Sequence, residues 1–268
     1  MIVLNQTDIM NFLLVFILVM IRVSAFFLTV PVFSLMAMNT MVRVIFSSII
    51  TITIIEINQL TSQLAGQLTY DFIGLIRLTF LEVMLAITLG FIMRIVFTTA
   101  AVAGEYIAGA MGLSFASVVD PQTGGGTPVL AQFMTIFLTL IFLTLNGPVI
   151  LVTIISDSFL ILPLGGFQIS YEALLRVALA GSYMFFSAVI LMAPVGLSLF
   201  LTNIAIGFLT RLSPQMNIFS VGFPFSILLG LAMLAFSLPG MEVQMNNILL
   251  AAFEKTREIL VLNDWIKG

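Results

Sequence analysis

The sequence has 268 residues, of which 61% are hydrophobic and only 8% are charged, with a formal net charge of −3. Soluble domains carry about 25% charged residues, so this composition excludes an ordinary aqueous domain and requires lipid or other membrane subunits around the chain. The nine Lys and Arg residues give no basic patch for nucleic acid. Cysteine and histidine are absent, which excludes disulfides, thiolate metal sites and Ser-His-Asp hydrolysis.

Six apolar runs follow one another along the chain and predict an all-α membrane protein. A helix needs about 20 residues to span a bilayer, and each of the first three runs is long enough. Arg22 interrupts the first run, which is too long for a secretory signal and precedes no small-residue cleavage site, so we expect it to remain in the mature protein. The runs cover residues 9–30, 44–60, 72–97, 128–162, 174–210 and 216–239.

The fourth and fifth runs are each cut by a proline, at Pro148 in the sequence Asn-Gly-Pro and at Pro194 after Ala193. Proline inside a helix removes a hydrogen bond and clashes with the preceding turn. We therefore predict broken helices and helical hairpins, which survive in a membrane only where protein or a water-filled cavity surrounds them. The predicted pieces are residues 129–145, 149–162, 174–193 and 195–210.

The C-terminal segment differs from the rest because it is amphipathic. Ile248, Leu249, Ala252 and Phe253 share one side of a helix, and most charged residues of this segment lie elsewhere. Two interpretations are open, namely an interfacial helix or a docking surface for a neighbouring subunit. We predict a membrane-type helical domain over residues 1–240 and an amphipathic helix over residues 241–268.

A run of small residues ends in a loop near the middle of the chain. Small residues four apart share one helix face and allow close contact with another helix. After them, Asp120-Pro121 disfavours a helix, and the glycines at 124–126 permit almost any backbone angle. These glycines lack the Lys and the flanking pattern of a phosphate-binding loop. The small residues of the predicted face are Ala100, Gly104, Ala108, Gly112 and Ala116.

Several charged residues lie inside or near the ends of the apolar runs. Each central charge costs about 2.5–3.5 kcal/mol on insertion scales, so each needs a partner. Arg77 and Glu82 are five residues apart and pair poorly along one helix, so their partners are expected on other helices or other chains. The alternatives are ion pairs that fix assembly and a proton or ion relay. The charged residues are Arg22, Glu56, Arg77, Glu82 and Asp157.

The segment 211–224 begins with Arg211 and contains the sharpest local pattern. Pro214 ends one predicted helix, and Phe223-Pro224 begins the next. Gln215 and Asn217 can bond backbone groups that the break leaves free. On its own, this pattern predicts a capped turn between two membrane helices.

Four stretches together resemble the flagellar biosynthetic protein FliR family, in order and spacing over essentially the whole chain. Many relatives carry a Lys two positions after the residue matching Pro224, whereas this chain has Ser226. The Gly-Phe-Pro sequence favours the flagellar branch over its injectisome counterpart. The stretches are Met111-Gly-Leu-Ser-Phe-Ala116 with Asp120-Pro121, Pro128-Val-Leu-Ala131 with Phe142-Leu-Thr-Leu-Asn-Gly147, Asp157-Ser-Phe159 with Leu162-Pro-Leu-Gly165, and Pro214-Gln-Met-Asn-Ile-Phe219 with Gly222-Phe-Pro224.

The resemblance implies a subunit of the flagellar type III export gate, in the bacterial inner membrane at the basal body. It implies a FliP-like part followed by a FliQ-like part, assembly with FliP- and FliQ-type subunits inside a wrapping FlhB-type subunit, and passage of unfolded export substrates. No enzyme activity and no cofactor are expected, because the chain has no histidine, no cysteine and no nucleotide-binding motif. The residues expected to make polar contacts between helices or subunits are Arg22, Glu56, Arg77, Glu82, Asp157, Arg211, Gln215 and Asn217.

The resemblance also implies that the gating segment, residues 111–126, plugs the pore. Large apolar side chains exclude water from a constriction and close it to ions, and flanking glycines let such a segment move. The alternative is a plain extramembrane linker. The implied gating residues are Met111, Gly112, Leu113, Ser114, Phe115, Ala116, Val118, Val119, Asp120, Pro121, Gly124, Gly125 and Gly126.

Two other functions remain open on the residues alone. A proton-coupled transporter of small solutes would use Glu82 or Asp157 as its relay carboxylate. A purely structural membrane scaffold would need neither a relay nor a plug.

Overall fold

A computed structural model describes residues 6–35, 39–60, 72–113, 129–166, 171–212 and 222–261. Helices fill most of these ranges, which contain no β-strand. The helices are α1 (Gln6–Thr29), α2 (Pro31–Leu35), α3 (Thr40–Ile57), α4 (Phe72–Ala110), α5 (Val129–Thr144), α6 (Gly147–Ile161), α7 (Tyr171–Leu212) and α8 (Phe223–Leu260).

Five of these helices, α1, α3, α4, α7 and α8, are long and apolar enough to cross a membrane. The described residues allow a sixth span if the bent pair α5 and α6 counts as one. The predicted all-α membrane fold is therefore confirmed.

The predicted break at Pro148 is confirmed. Asn146 lies between α5 and α6 in the left-handed conformation, with φ of 55°, which asparagine tolerates better than most residues. Its carbonyl oxygen accepts hydrogen bonds from the N–H groups of Val149 and Ile150, at 3.0 and 3.1 Å. Pro148 occupies the first turn of α6, where its missing N–H costs nothing. One short sequence thus ends a helix and begins another.

The predicted break at Pro194 is wrong, because α7 runs through this residue from Tyr171 to Leu212. A proline removes only one backbone hydrogen bond, and membrane helices tolerate it where neighbouring groups compensate. Helix α8 likewise contains Pro239 and continues past Met241 to Leu260. The predicted domain boundary at Met241 is therefore not a helix boundary, and the division into 1–240 and 241–268 stays a prediction.

The chain groups into two compact units. Unit 1 comprises residues 1–94, 146–180 and 252–268, and unit 2 comprises residues 95–145 and 181–251. In unit 1, α1 packs against α3, and the rings of Phe27, Phe33 and Phe46 form one aromatic cluster with centroids 4.7–5.7 Å apart. In unit 2, the rings of Phe97 and Phe142 meet edge to face at 5.7 Å. Each unit therefore has an apolar core of its own.

Candidate functional site

Helix α4 ends with a glycine in the left-handed conformation. Gly112 has a φ of +82°. Its N–H donates to the carbonyl of Gly109, and the N–H of Leu113 donates to the carbonyl of Ala108, both at 3.0 Å. This pair of bonds is the Schellman motif, which satisfies carbonyls at a helix end and favours glycine at the left-handed position. The expectation that Gly112 continues the small-residue face of the helix is therefore wrong, because the residue ends the helix instead.

The small-residue face itself is present on α4 at Ala100, Gly104 and Ala108, which are all buried. At Gly104 a Cβ atom would lie 2.5 Å from the carbonyl oxygen of Leu130 and 2.6 Å from the Cα atom of Ala131. The backbones of α4 and α5 therefore meet directly in unit 2. Only glycine permits such an approach without moving backbone atoms.

The first residues of the gating segment are packed against α8. The side chain of Met111 is buried, and a Cβ atom on Gly230 would lie 2.5 Å from its Cε atom. A Cβ atom on Gly112 would lie 2.5 Å from the ring of Phe223, whereas Leu113 is exposed. The following gating residues lie outside the described residues, namely Ser114, Phe115, Ala116, Val118, Val119, Asp120, Pro121, Gly124, Gly125 and Gly126.

Two polar side chains contact the same end of α4. The Nδ2 group of Asn203 on α7 donates to the carbonyl oxygen of Ala110, at 3.1 Å. The hydroxyl of Ser226 on α8 donates to Oδ1 of Asn203, at 3.0 Å. In the sequence, Ser226 stands out only because many relatives carry a Lys at this position, and Asn203 does not stand out. The available signal was an amide side chain inside an apolar helix, where interhelical hydrogen bonds are common.

A second candidate site lies in unit 1, where Arg22 on α1 and Glu82 on α4 form a fully buried ion pair. The Nη1 group of Arg22 also donates to the carbonyl oxygens of Ser158 and Leu162, both at 3.0 Å. Its guanidinium carbon lies 4.1 Å from the centroid of the Phe159 ring. One arginine therefore joins α1, α4 and the end of α6.

The surroundings of Arg22 explain how a charge is tolerated at this depth. Burying an ion pair costs on the order of several kcal/mol per ion unless geometry and additional hydrogen bonds compensate. The carbonyls of Ser158 and Leu162 stand at the C-terminal end of α6, where the helix dipole places partial negative charge. The guanidinium is thus matched by a carboxylate, by a helix end and by an aromatic face.

The other predicted polar residues do not join this cluster. Glu56, Arg77 and Arg211 are exposed and Asp157 is partly exposed. Gln215 and Asn217 lie outside the described residues. In the part of the chain that the structure describes, acidic side chains form no group of three that would hold a metal ion.

Comparison with known proteins gives matches along most of the chain. Residues 13–252 match the family described as bacterial export proteins, family 1. The chain is 30% identical to the flagellar biosynthetic protein FliR of Pectobacterium carotovorum subsp. carotovorum over 264 residues, which cover 97% of this chain and 98% of that relative. It is also 30% identical to the FliR protein of Bacillus subtilis (strain 168), over 92% of this chain and 95% of that relative.

The FliR protein of Escherichia coli (strain K12) is 39% identical over a shorter stretch of 158 residues, which covers 59% of this chain and 60% of that relative. The resemblance predicted from the sequence is therefore confirmed. Because the family match and two of these alignments extend over nearly the whole chain, the protein belongs to the bacterial export proteins of family 1, the FliR family.

Proposed function

We propose that this chain is a subunit of the flagellar type III export gate, assembled with FliP- and FliQ-type subunits and an FlhB-type subunit in the bacterial inner membrane. The observation that carries the proposal is the alignment with a flagellar biosynthetic protein over 97% of the chain. In this role the protein forms part of a conduit for unfolded export substrates and catalyses no covalent step.

The length of the apolar helices supports the proposal that other subunits pack against this chain. Helix α7 has 42 residues, so its axis measures about 63 Å, about twice the 30 Å of a hydrocarbon core. Large apolar side chains are exposed near both of its ends, at Leu175 and Leu209. Lipid alone covers only part of such a helix unless it is strongly tilted, so companion chains are the natural cover for the remainder.

The end of α4 supports a plug role for the gating segment. The segment leaves a helix whose end is capped by the Schellman motif and whose next side chain, Met111, is buried. A segment anchored in this way can move while its supporting helix keeps its structure. Its apolar side chains would close the pore to ions by excluding water.

The geometry of Glu82 does not support the transporter alternative. A relay carboxylate has to exchange protons with water, whereas Glu82 is fully buried and paired with Arg22. The pair instead resembles a structural ion pair between helices.

Assembly is tested by co-expressing the tagged chain with FliP-, FliQ- and FlhB-type subunits and purifying it in mild detergent. We expect one stable complex, and an aggregating or inactive chain when the partners are omitted. An ordered monomer that transports a solute in liposomes without partners would contradict the proposal. The Glu82→Gln variant adds a check, because a relay role predicts loss of proton flux with assembly intact.

The plug is tested by replacing residues 114–126 with a Gly/Ser segment of equal length, which keeps the capped end of α4. We expect increased ion leakage through the assembled gate at rest, measured as conductance in planar bilayers or as loss of membrane potential in cells. The matched control replaces residues 61–71, another segment between helices, and should leave the resting conductance unchanged. Equal conductance in the two variants would reject the plug role.

A further inference from the structure

We propose that Asn203 and Ser226 form a polar latch, which holds the start of the gating segment on α7 and α8 while the gate is closed. The inference rests on the proposed function, because it assigns a task to these residues only if the segment plugs a pore. All contacts of the latch lie within unit 2.

The latch binds the carbonyl group of Ala110, the last residue of α4. The carbonyl of Ala110 belongs to the last turn, so the helix supplies no N–H to it. Asn203 supplies one from its side chain, at 3.1 Å, and accepts a bond from the hydroxyl of Ser226, at 3.0 Å. The amide thereby links α4, α7 and α8 at the point where the gating segment begins.

Apolar contacts accompany the polar bonds of the latch. The side chain of Met111 lies over Gly230, and the ring of Phe223 lies over Gly112, with both glycines leaving room for the neighbouring side chain. Phe223 is the first residue of α8, and Ser226 follows one turn later. The polar bonds and the apolar contacts therefore hold one short stretch, residues 110–112, from the same side.

The chemistry of the surroundings gives the latch its strength. Asn203 is exposed on this chain, inside a helix that is apolar enough to cross a membrane. Where lipid or a companion chain covers this position, the amide is costly without hydrogen bonds. A cleft of about 210 Å³ adjoins Asn203 and Ser226, and we infer that the amide turns into this space when the latch opens. The latch thus requires a released state besides the bonded state that the structure shows.

The test measures resting ion leakage in the complete gate, with all partner subunits present. Ser226→Ala and Asn203→Leu should each raise the leakage about two- to tenfold, the change in population expected from one net hydrogen bond, with the amount of assembled complex unchanged. Ser226→Thr retains the hydroxyl and should behave as the parent. Thr202→Val is the matched control, because the hydroxyl of Thr202 donates to the carbonyl of Ser198 within α7.

An engineered disulfide can hold the end of α4 on α8 reversibly, because the chain has no natural cysteines. A Cβ atom on Gly230 would lie 2.7 Å from the Cγ atom of Met111, so cysteines at these two positions are close enough to bridge after a small shift. In the background of Ser226→Ala, the oxidised Met111→Cys/Gly230→Cys variant should lose the added leakage, and a reductant should restore it.

The outcomes separate the latch from the plug. Unchanged leakage in Ser226→Ala and Asn203→Leu, while replacement of residues 114–126 does leak, overturns the latch and leaves the proposed function standing. No leakage after that replacement overturns the plug role itself. Leakage of Ser226→Ala that persists with the disulfide closed also overturns the latch, because the effect would then arise elsewhere.

Discussion

Around Arg22, a buried charge and its partners hold three helix segments together. At Gly104, by contrast, two helices approach closely because glycine has no side chain. In the first arrangement, one guanidinium is bonded to the carboxylate of Glu82 and to the carbonyls of Ser158 and Leu162. The second brings two backbones within contact distance at the N-terminal end of α5. Removing a charged side chain should therefore lower stability at the first region, and adding a methyl group should lower it at the second.

The largest effect is expected from Arg22→Met, which leaves the carboxylate of Glu82 buried without its cation. Breaking one side of a buried pair costs about 3–5 kcal/mol, so we expect a large loss of thermal stability of the complex in detergent. The double variant Arg22→Met/Glu82→Met removes both charges and should recover much of that loss.

The exposed pair of Arg176 and Glu172 provides the matched control. Their side chains are 47% and 49% exposed, and they lie one turn apart on α7. Arg176→Met should change stability by less than about 1 kcal/mol, because solvent screens such a pair. Similar losses at Arg22 and Arg176 would show that burial does not determine the contribution of the charge.

The next effect is expected from Gly104→Ala, the smallest possible addition at the contact between α4 and α5. The new methyl group would meet backbone atoms of Leu130 and Ala131, which cannot rotate away as a side chain can. Overpacking of this kind costs about 1–3 kcal/mol. Limited proteolysis and thermal unfolding of the purified complex should both report the loosening.

The smallest effect, of opposite sign, is expected from Gly207→Ala on α7. A Cβ atom there meets nothing within 4 Å, and alanine is favoured over glycine inside a helix by about 0.5–1 kcal/mol. A slight gain in melting temperature would show that the loss at Gly104 comes from the close approach. A loss as large as that at Gly104 would instead indicate that any side chain in these helices disturbs an interface with another subunit.

The sequence predicted local features better than distant ones. The Asn-Gly-Pro stretch at 146–148 contains both a residue that tolerates a left-handed turn and a proline suited to a first turn, so the break was predictable. Pro194 was misjudged because one lost hydrogen bond is small beside the many bonds that hold a 42-residue helix.

Contacts between residues far apart in the chain could be predicted from the sequence only in part. The five-residue spacing of Arg77 and Glu82 correctly indicated that Glu82 needed a partner on another helix. It gave no means of choosing Arg22, which lies 60 residues away. The bond between Asn203 and Ala110 spans 93 residues, so only the packing of α4 against α7 reveals it. Residues 114–126 of the gating segment lie outside the described residues, and their role remains a prediction.

The position of Arg22 in the chain also has a consequence for biosynthesis. A ribosome adding about 5–20 residues per second needs about 3–12 s to make the 60 residues that separate Arg22 from Glu82. The carbonyls of Ser158 and Leu162 follow later still. During this interval the nascent first helix carries a cation without its carboxylate partner, so its own apolar residues have to offset an insertion cost of about 2.5–3.5 kcal/mol.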